Sequence, residues 1–183
     1  AFTIELLFFD GEEAVNWDWA GTDNTYGSRH YVQAAQKAGT LGTIKALVLL
    51  DMIGDRDLII RREGYSTPWL VDIVWSAAAR LGKAGTFSNE LLAVEDDHLN
   101  FIRAGVPAVD VIDMDNPTWH TAQDDVEHVS KDSLQVVGDV ILADVEEPLV
   151  GLDDLGCLAP HGDLSLVQPD DVVGELADGI QAV

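Results

Sequence analysis

Residues Thr3 to Glu13 read TIELLFFDGEE, and this stretch decides how the rest of the chain is interpreted. Thr3 to Asp10 is β-rich and nearly continuously apolar, the pattern of a strand buried on both faces, and Gly11 ends it. Glu12 and Glu13 follow at once. They fall just past the C-terminal end of the predicted strand, where open α/β sheets place their sites. Adjacent side chains on extended or turning backbone point different ways, so one carboxylate can bind a metal while its neighbour faces a substrate as a proton carrier. A pair that only solvates a turn or starts a helix would look the same, since acidic residues suit helix N-termini.

Working outward, the chain alternates strands and helices. Tyr26 to Ala38 predicts a helix stopped by Gly39. Ala46 to Met52 (ALVLLDM) predicts a second buried strand and Leu58 to Arg61 a short third. Ser66-Thr67-Pro68 predicts a helix start with proline at the first helical position, and Leu70, Val74, Ala77 and Leu81 line one face before Gly82 closes the helix. Asp97 to Ala104 predicts a short helix, Pro107 to Ile112 a strand, and a last helix runs from about Ser130 with Leu134, Val137, Ile141 and Val145 at helical spacing. Such alternation implies an α/β fold with helices on both faces of the sheet.

Three further groups fall at predicted strand ends or in loops near them. Asp51 ends ALVLLDM at the same edge as Glu12 and Glu13, either as a site residue or as a cap for the next turn. His120, in Trp119-His120-Thr121, follows the strand PAVDVID after a short loop, and a neutral imidazole suits zinc. Asp96-Asp97-His98 is an acidic cluster in which mutual repulsion can raise one pKa, or a helix start with Asp96 as cap. Glu12, Glu13, Asp51 and His120 each follow a strand, and that shared position favours a common site.

Composition bounds the chemistry. The 183 residues fit one domain, and 47% hydrophobic content is enough to bury a core. With 33 acidic against 10 basic residues the formal net charge is −23, which argues against nucleic-acid or anionic-membrane partners. Asp outnumbers Glu and Lys is scarce, as in a protein kept soluble at high salt. Cys157 is the only cysteine, so a metal must sit on His and carboxylates. No apolar run reaches the roughly 18 residues of a membrane helix. Residues 148–183 carry no Lys or Arg and no sustained periodicity, and are expected to form an acidic tail or extension.

The stretches FFDGEEAVNWDWAGTDNTYGSRH (Phe8 to His30), LVLLDMIGD (Leu47 to Asp55), EDDHLNFIRAGVP (Glu95 to Pro107) and WHT (Trp119 to Thr121), in that order, resemble glutaminyl cyclases, members of the zinc aminopeptidase superfamily. The resemblance spans about residues 3 to 147. It implies a three-layer α/β/α domain with a central mixed, mostly parallel sheet, of which residues 1–147 form the C-terminal portion. It implies that Glu12 is the general acid/base, that Glu13 and His120 bind zinc, and that Asp51 and Asp96 are hydrogen-bonding carboxylates beside the reacting centre. Trp119 and Trp19 would wall the substrate pocket, Trp19 being preferred to Trp17 by its distance from Tyr26-Gly27-Ser28-Arg29-His30. The family's third zinc ligand, an Asp, lies upstream of the FFDGEE strand, so the chain is expected to lack it.

The activity implied is cyclisation of N-terminal glutamine on peptides or proteins, with one zinc ion. The alternative is a zinc aminopeptidase of the same fold, with Glu12 activating a metal-bound water and Asp51 as ligand to a second zinc. A non-catalytic domain that keeps the fold is the third reading. The family also suggests a secreted or periplasmic location.

Overall fold

The computed structural model describes residues 3–16 and 19–146, with side chains left out at 144–146. Trp17 and the expected tail from residue 148 lie outside the described residues, as does the side chain of Val145. In chain order the elements are α1 (Tyr26–Ala38), β1 (Leu47–Asp51), β2 (Ile60–Glu63), α2 (Pro68–Arg80), β3 (Phe87–Leu92), α3 (His98–Arg103), β4 (Ala108–Ile112) and α4 (Lys131–Glu146). Short 3-10 turns occupy Leu41–Thr43 and Val126–His128.

All strand pairing within these elements is parallel: β1 pairs with β4, Leu47 opposite Ala108 and Asp51 opposite Ile112, and β2 pairs with β3. β2 packs beside β4. The turn after β2 closes the join, because Thr67 N–H donates to the Ala108 carbonyl at 2.7 Å and Ala108 N–H to Thr67 Oγ1 at 3.0 Å.

Alternation along β4 creates the layers. Val109 and Val111 are fully buried in a cluster with Leu70, Val74, Trp75 and Ala77 of α2 and Val137 and Val140 of α4. Ala108 faces the other way, into a cluster with Val32 of α1 and Phe101 of α3. The result is a three-layer α/β/α arrangement, as expected. The larger apolar side of the sheet is held by α2 and α4, and removing a fully buried aromatic such as Phe101 from the smaller side would cost about 3–5 kcal/mol.

Four local readings are corrected. Thr3–Asp10 is extended but is not a strand buried on both faces. Leu7 and Phe9 pack against α1 and α3, with the Phe9 ring 5.9 Å from that of Phe101, whereas Leu6 and Phe8 are 60% and 91% exposed. Four consecutive large apolar residues, Leu6 to Phe9, hid a period of two, of which only one face is covered by the helices. Leu81 and Leu134 keep the helical spacing yet are both 43% exposed, Leu81 because it is the residue that ends α2. β3 was missed, since FSNELL has a polar middle, Leu91 is 79% exposed and only Phe87 is buried. Asp97, not Asp96, occupies the cap position of α3.

Candidate active site

The start of α1 fixes the two glutamates. Its first backbone N–H groups have no partner within the helix, and they turn to the end of the extended segment. Thr25 N–H donates to the Glu12 carbonyl at 2.7 Å, Tyr26 N–H to that of Gly11 at 2.8 Å and Gly27 N–H to that of Asp10 at 3.1 Å. Contact this close requires glycine at 27, where a Cβ would lie 2.5 Å from the Asp10 carbonyl oxygen. Gly11 takes the left-handed turn with φ 58°, which glycine adopts without strain. Asp23 ties down the loop beyond, accepting from Asn16 N–H at 2.8 Å, from Asn16 Nδ2 at 2.6 Å and from the Tyr26 hydroxyl. Those bonds, the one from Tyr26 first, hold the Asp23 carboxyl down at about 2.

Among the described residues, three non-glycine residues have left-handed backbone: Thr25, Met52 and His120, with φ 46°, 50° and 57°. Each borders the site. Thr25 begins α1, Met52 follows Asp51 at the end of β1, and His120 is itself a candidate ligand. Such conformations are costly and persist where surrounding structure enforces them.

His120 Nε2 lies 3.0 Å from Glu13 Oε1, although 107 residues separate the two in the chain. Both side chains remain more than half exposed, so the pair opens outward. The Trp119 ring stacks on that of His120 at 4.2 Å between centroids and is 43% exposed, which places it outside the core. Trp19 is half-buried in the loop leading to α1.

Behind this pair lies a group of carboxylates. Glu12 is pushed up to about 8, first by burial and then by the charges of Asp96, Glu13, Asp51 and Asp97. Asp96 is pushed up to about 6, mainly by burial, against a hydrogen bond from Asp97 N–H. Burial also raises Asp51, opposed by Met52 N–H, which donates to Asp51 Oδ1 at 2.9 Å. The structure thus gathers Glu12, Glu13, Asp51 and Asp96 at one end of the sheet. Burial outweighs mutual repulsion at Glu12, Asp51 and Asp96, and Asp96 acts on Glu12 more strongly than Glu13 or Asp51 does.

Sequence reasoning missed a deeper layer. Glu63, His98 and Asp110 have fully buried side chains, with His98 Nε2 3.2 Å from Glu63 Oε2 and His98 Nδ1 3.5 Å from Asp110 Oδ2. The signal was present in PAVDVID, where a charged residue interrupts an otherwise apolar strand.

Oxygen and imidazole donors are the right chemistry for zinc, and the 3.0 Å separation suits two neighbouring ligands of one tetrahedral ion. Glu13 and His120 fit as such a pair. Among the described residues no group of three or more His, Cys, Asp or Glu side chains is arranged to hold a metal.

Residues 1–145 match the peptidase family M28. The chain belongs to that family. Among M28-like solved structures, it is 44% identical to a glutaminyl cyclase from an Acidobacteriales bacterium, with a TM-score of 0.72 over 75% of this chain and 50% of that one. It is 30% identical to a leucine aminopeptidase precursor from Bacteroides thetaiotaomicron, with a TM-score of 0.68 over 76% of this chain and 51% of that one. Among curated relatives, the glutaminyl-peptide cyclotransferase of Boiga irregularis is 30% identical over 169 residues, 80% of this chain and 46% of that protein. That of Drosophila melanogaster is 30% identical over 159 residues, 74% and 45% respectively. This M28 chain therefore spans about half the length of the proteins it matches.

Proposed function

We propose that this chain carries the acid/base and zinc-binding face of a glutaminyl cyclase, which converts N-terminal glutamine of peptides to pyroglutamate and releases ammonia. The observation that supports it most directly is the approach of Glu13 and His120 to 3.0 Å beside a Glu12 whose carboxyl is raised to about 8. Glu13 and His120 would hold zinc, which when bound polarises the γ-carboxamide carbonyl and stabilises the oxyanion.

The α-amine nitrogen attacks the carbonyl carbon of the γ-carboxamide, a carbon–nitrogen bond forms there, and the bond from that carbon to the amide nitrogen breaks. Glu12 takes the proton from the attacking amine and returns it to the departing ammonia. Asp96 and Asp51, whose charges act on Glu12, accept hydrogen bonds from the nitrogens and keep the proton affinity of Glu12 near working pH. Trp119, stacked on His120, forms one exposed wall for the glutamine side chain, and Trp19 is its proposed counterpart. Substrates of this kind fit a secreted or periplasmic enzyme.

Hydrolysis of N-terminal residues is the second reading, supported by the likeness to the leucine aminopeptidase precursor and by membership of M28. Offering Gln-peptides and Leu-peptides to the zinc-supplemented protein separates the two. Ammonia from Gln-peptides supports the cyclase, free leucine supports the peptidase, and neither product from a zinc-loaded protein supports a binding domain.

A further inference from the structure

The two carboxylates that flank His98 are solvated very differently. Glu63 accepts from Tyr65 N–H at 3.0 and 2.9 Å, from Ser66 N–H at 2.7 Å, from Ser66 Oγ at 2.8 Å and from Val94 N–H at 3.2 Å. That is the environment of an ionised carboxylate. Burial alone would raise its pKa, but His98 and these donors outweigh burial and bring it down to about 2.

Asp110 has none of this. Its own N–H is used, donating to Ser66 Oγ at 3.0 Å, but both side-chain oxygens are buried without a hydrogen-bond partner. A bare carboxylate in such a place is strongly unfavourable unless it is neutralised. His98 is the nearest group able to resolve it. Neither ring nitrogen has an aligned hydrogen bond, although each lies within 3.5 Å of a carboxylate oxygen.

We propose that Asp110 is protonated in the folded protein and donates to His98 Nδ1, so that a neutral His98 donates from Nε2 to ionised Glu63. A single proton on Asp110 then links the three side chains and leaves one negative charge, on the carboxylate that has the donors to hold it, while the second Asp110 oxygen stays unpaired but uncharged. An imidazolium with an ionised Asp110 would instead leave the second Asp110 oxygen charged and bare. Burial, then the charges of Asp96, Asp51, Glu63 and Asp97, raise Asp110 well above its ordinary value, in the same direction.

The chain positions the site. His98 is the first residue of α3, and Asp96 and Asp97 immediately precede it. Pinning His98 between β2 and β4 fixes the turn that carries both carboxylates. Asp97 is held further by the Ser28 hydroxyl, and Ser28 accepts from Asn100 Nδ2 at 2.8 Å. Asp110 and His98 act on Glu12 only through Asp96 and are positioning residues. The arrangement belongs to the zinc-free chain and does not depend on the proposed reaction.

Asp110→Asn tests it, because the amide is neutral and can still donate to His98 Nδ1. A folded-state carboxyl whose pKa is raised binds a proton that the unfolded chain has released. Its contribution therefore falls as pH rises from about 4 toward the folded pKa. Urea unfolding between pH 5 and 7 should give a ratio of variant to wild-type folding constants that rises about tenfold per pH unit. Nitrogen NMR should show His98 neutral at pH 7 with the proton on Nε2. Infrared spectra should show a protonated-carboxyl band at pH 7 that survives in Glu12→Gln, where the raised Glu12 carboxyl is gone, and disappears when Asp110→Asn is added. A pH-independent ratio, an imidazolium signal at His98, or a Glu12→Gln spectrum without that band would overturn the proposal, and the nitrogen spectrum of wild type with the infrared spectrum of Glu12→Gln decides it should the Asp110 variant not fold.

Discussion

Gly27→Ala probes the contact that sets the two glutamates. A Cβ at this position would meet the Asp10 carbonyl oxygen at 2.5 Å, Asp10 N at 2.9 Å and Asp10 Oδ1 at 3.1 Å. Two of the three are backbone atoms that no rotamer change can move, and the closest is about 0.9 Å short of ordinary contact. The start of α1 must withdraw, lengthening the bonds from Thr25, Tyr26 and Gly27 to the Glu12, Gly11 and Asp10 carbonyls together. Each is worth about 1 kcal/mol net, and overpacking adds about 1–3 kcal/mol. Alanine regains up to about 1 kcal/mol of helix propensity. With the bonds half lost, the expected destabilisation is about 2–3 kcal/mol by urea unfolding followed by circular dichroism. Gly42→Ala, where a Cβ meets nothing within 4 Å, serves as control and should stay within about 0.5 kcal/mol of wild type. If Gly27→Ala were as mild as Gly42→Ala, the claim that α1 clamps the glutamates would fail.

Further expectations follow from the site and the layer beneath it. Glu12→Gln should keep the zinc affinity of the parent chain while lowering any turnover by several orders of magnitude, and Glu13→Gln should lose zinc, read by metal titration alongside rate. Trp119→Ala should change the Michaelis constant or rate of Gln-peptide turnover with less than about 1 kcal/mol of stability loss, whereas a core aromatic costs about 3–5 kcal/mol. Glu63 has its folded pKa lowered from 4.5 to about 2, so its contribution is complete above about pH 4.5 and disappears as pH falls toward 2. Wild type should therefore lose about 2–3 kcal/mol more than Glu63→Gln across that window in acid unfolding. Zinc titration of the chain should give weak binding, since Glu13 and His120 are two ligands where a catalytic site usually has three.

The helices were legible because their signals are local. Tyr26–Ala38 and its Gly39 stop match the observed α1, and Gly39 has the left-handed φ of 73° that such a stop uses. Pro68 stands at the first helical position of α2, as the Ser66-Thr67-Pro68 motif predicts. Strands depend on which faces other elements cover, and here sequence was a weaker guide. Leu6 and Phe8 are as apolar as Leu7 and Phe9, so nothing in TIELLFFD tells which pair α1 and α3 will bury. The polar run of β3 was illegible for the same reason: its partner β2, not its composition, makes it a strand.

At the site, position was legible and depth was not. Glu12, Glu13, Asp51 and His120 could be grouped because each ends or follows a stretch that the sequence predicts as a strand, and parallel strands bring their C-terminal ends to one edge. Burial, the largest influence on Glu12, Asp51 and Asp96 alike, comes from packing that no local motif encodes. The same limit concealed Asp110. An aspartate within PAVDVID could face solvent, but the alternation of β4 turns Val109 and Val111 toward α2 and α4, leaving Asp110 to face α3. Once β4 is central, that orientation follows from the period of two, and a buried histidine with donor-rich Glu63 behind it becomes the physical condition for tolerating the aspartate. The acidic residues thus divide by what surrounds them: Glu63 is ionised because donors converge on it, Asp110 is neutral because none do, and Glu12 lies between, partly buried and surrounded by charge, where a proton can be both taken and released.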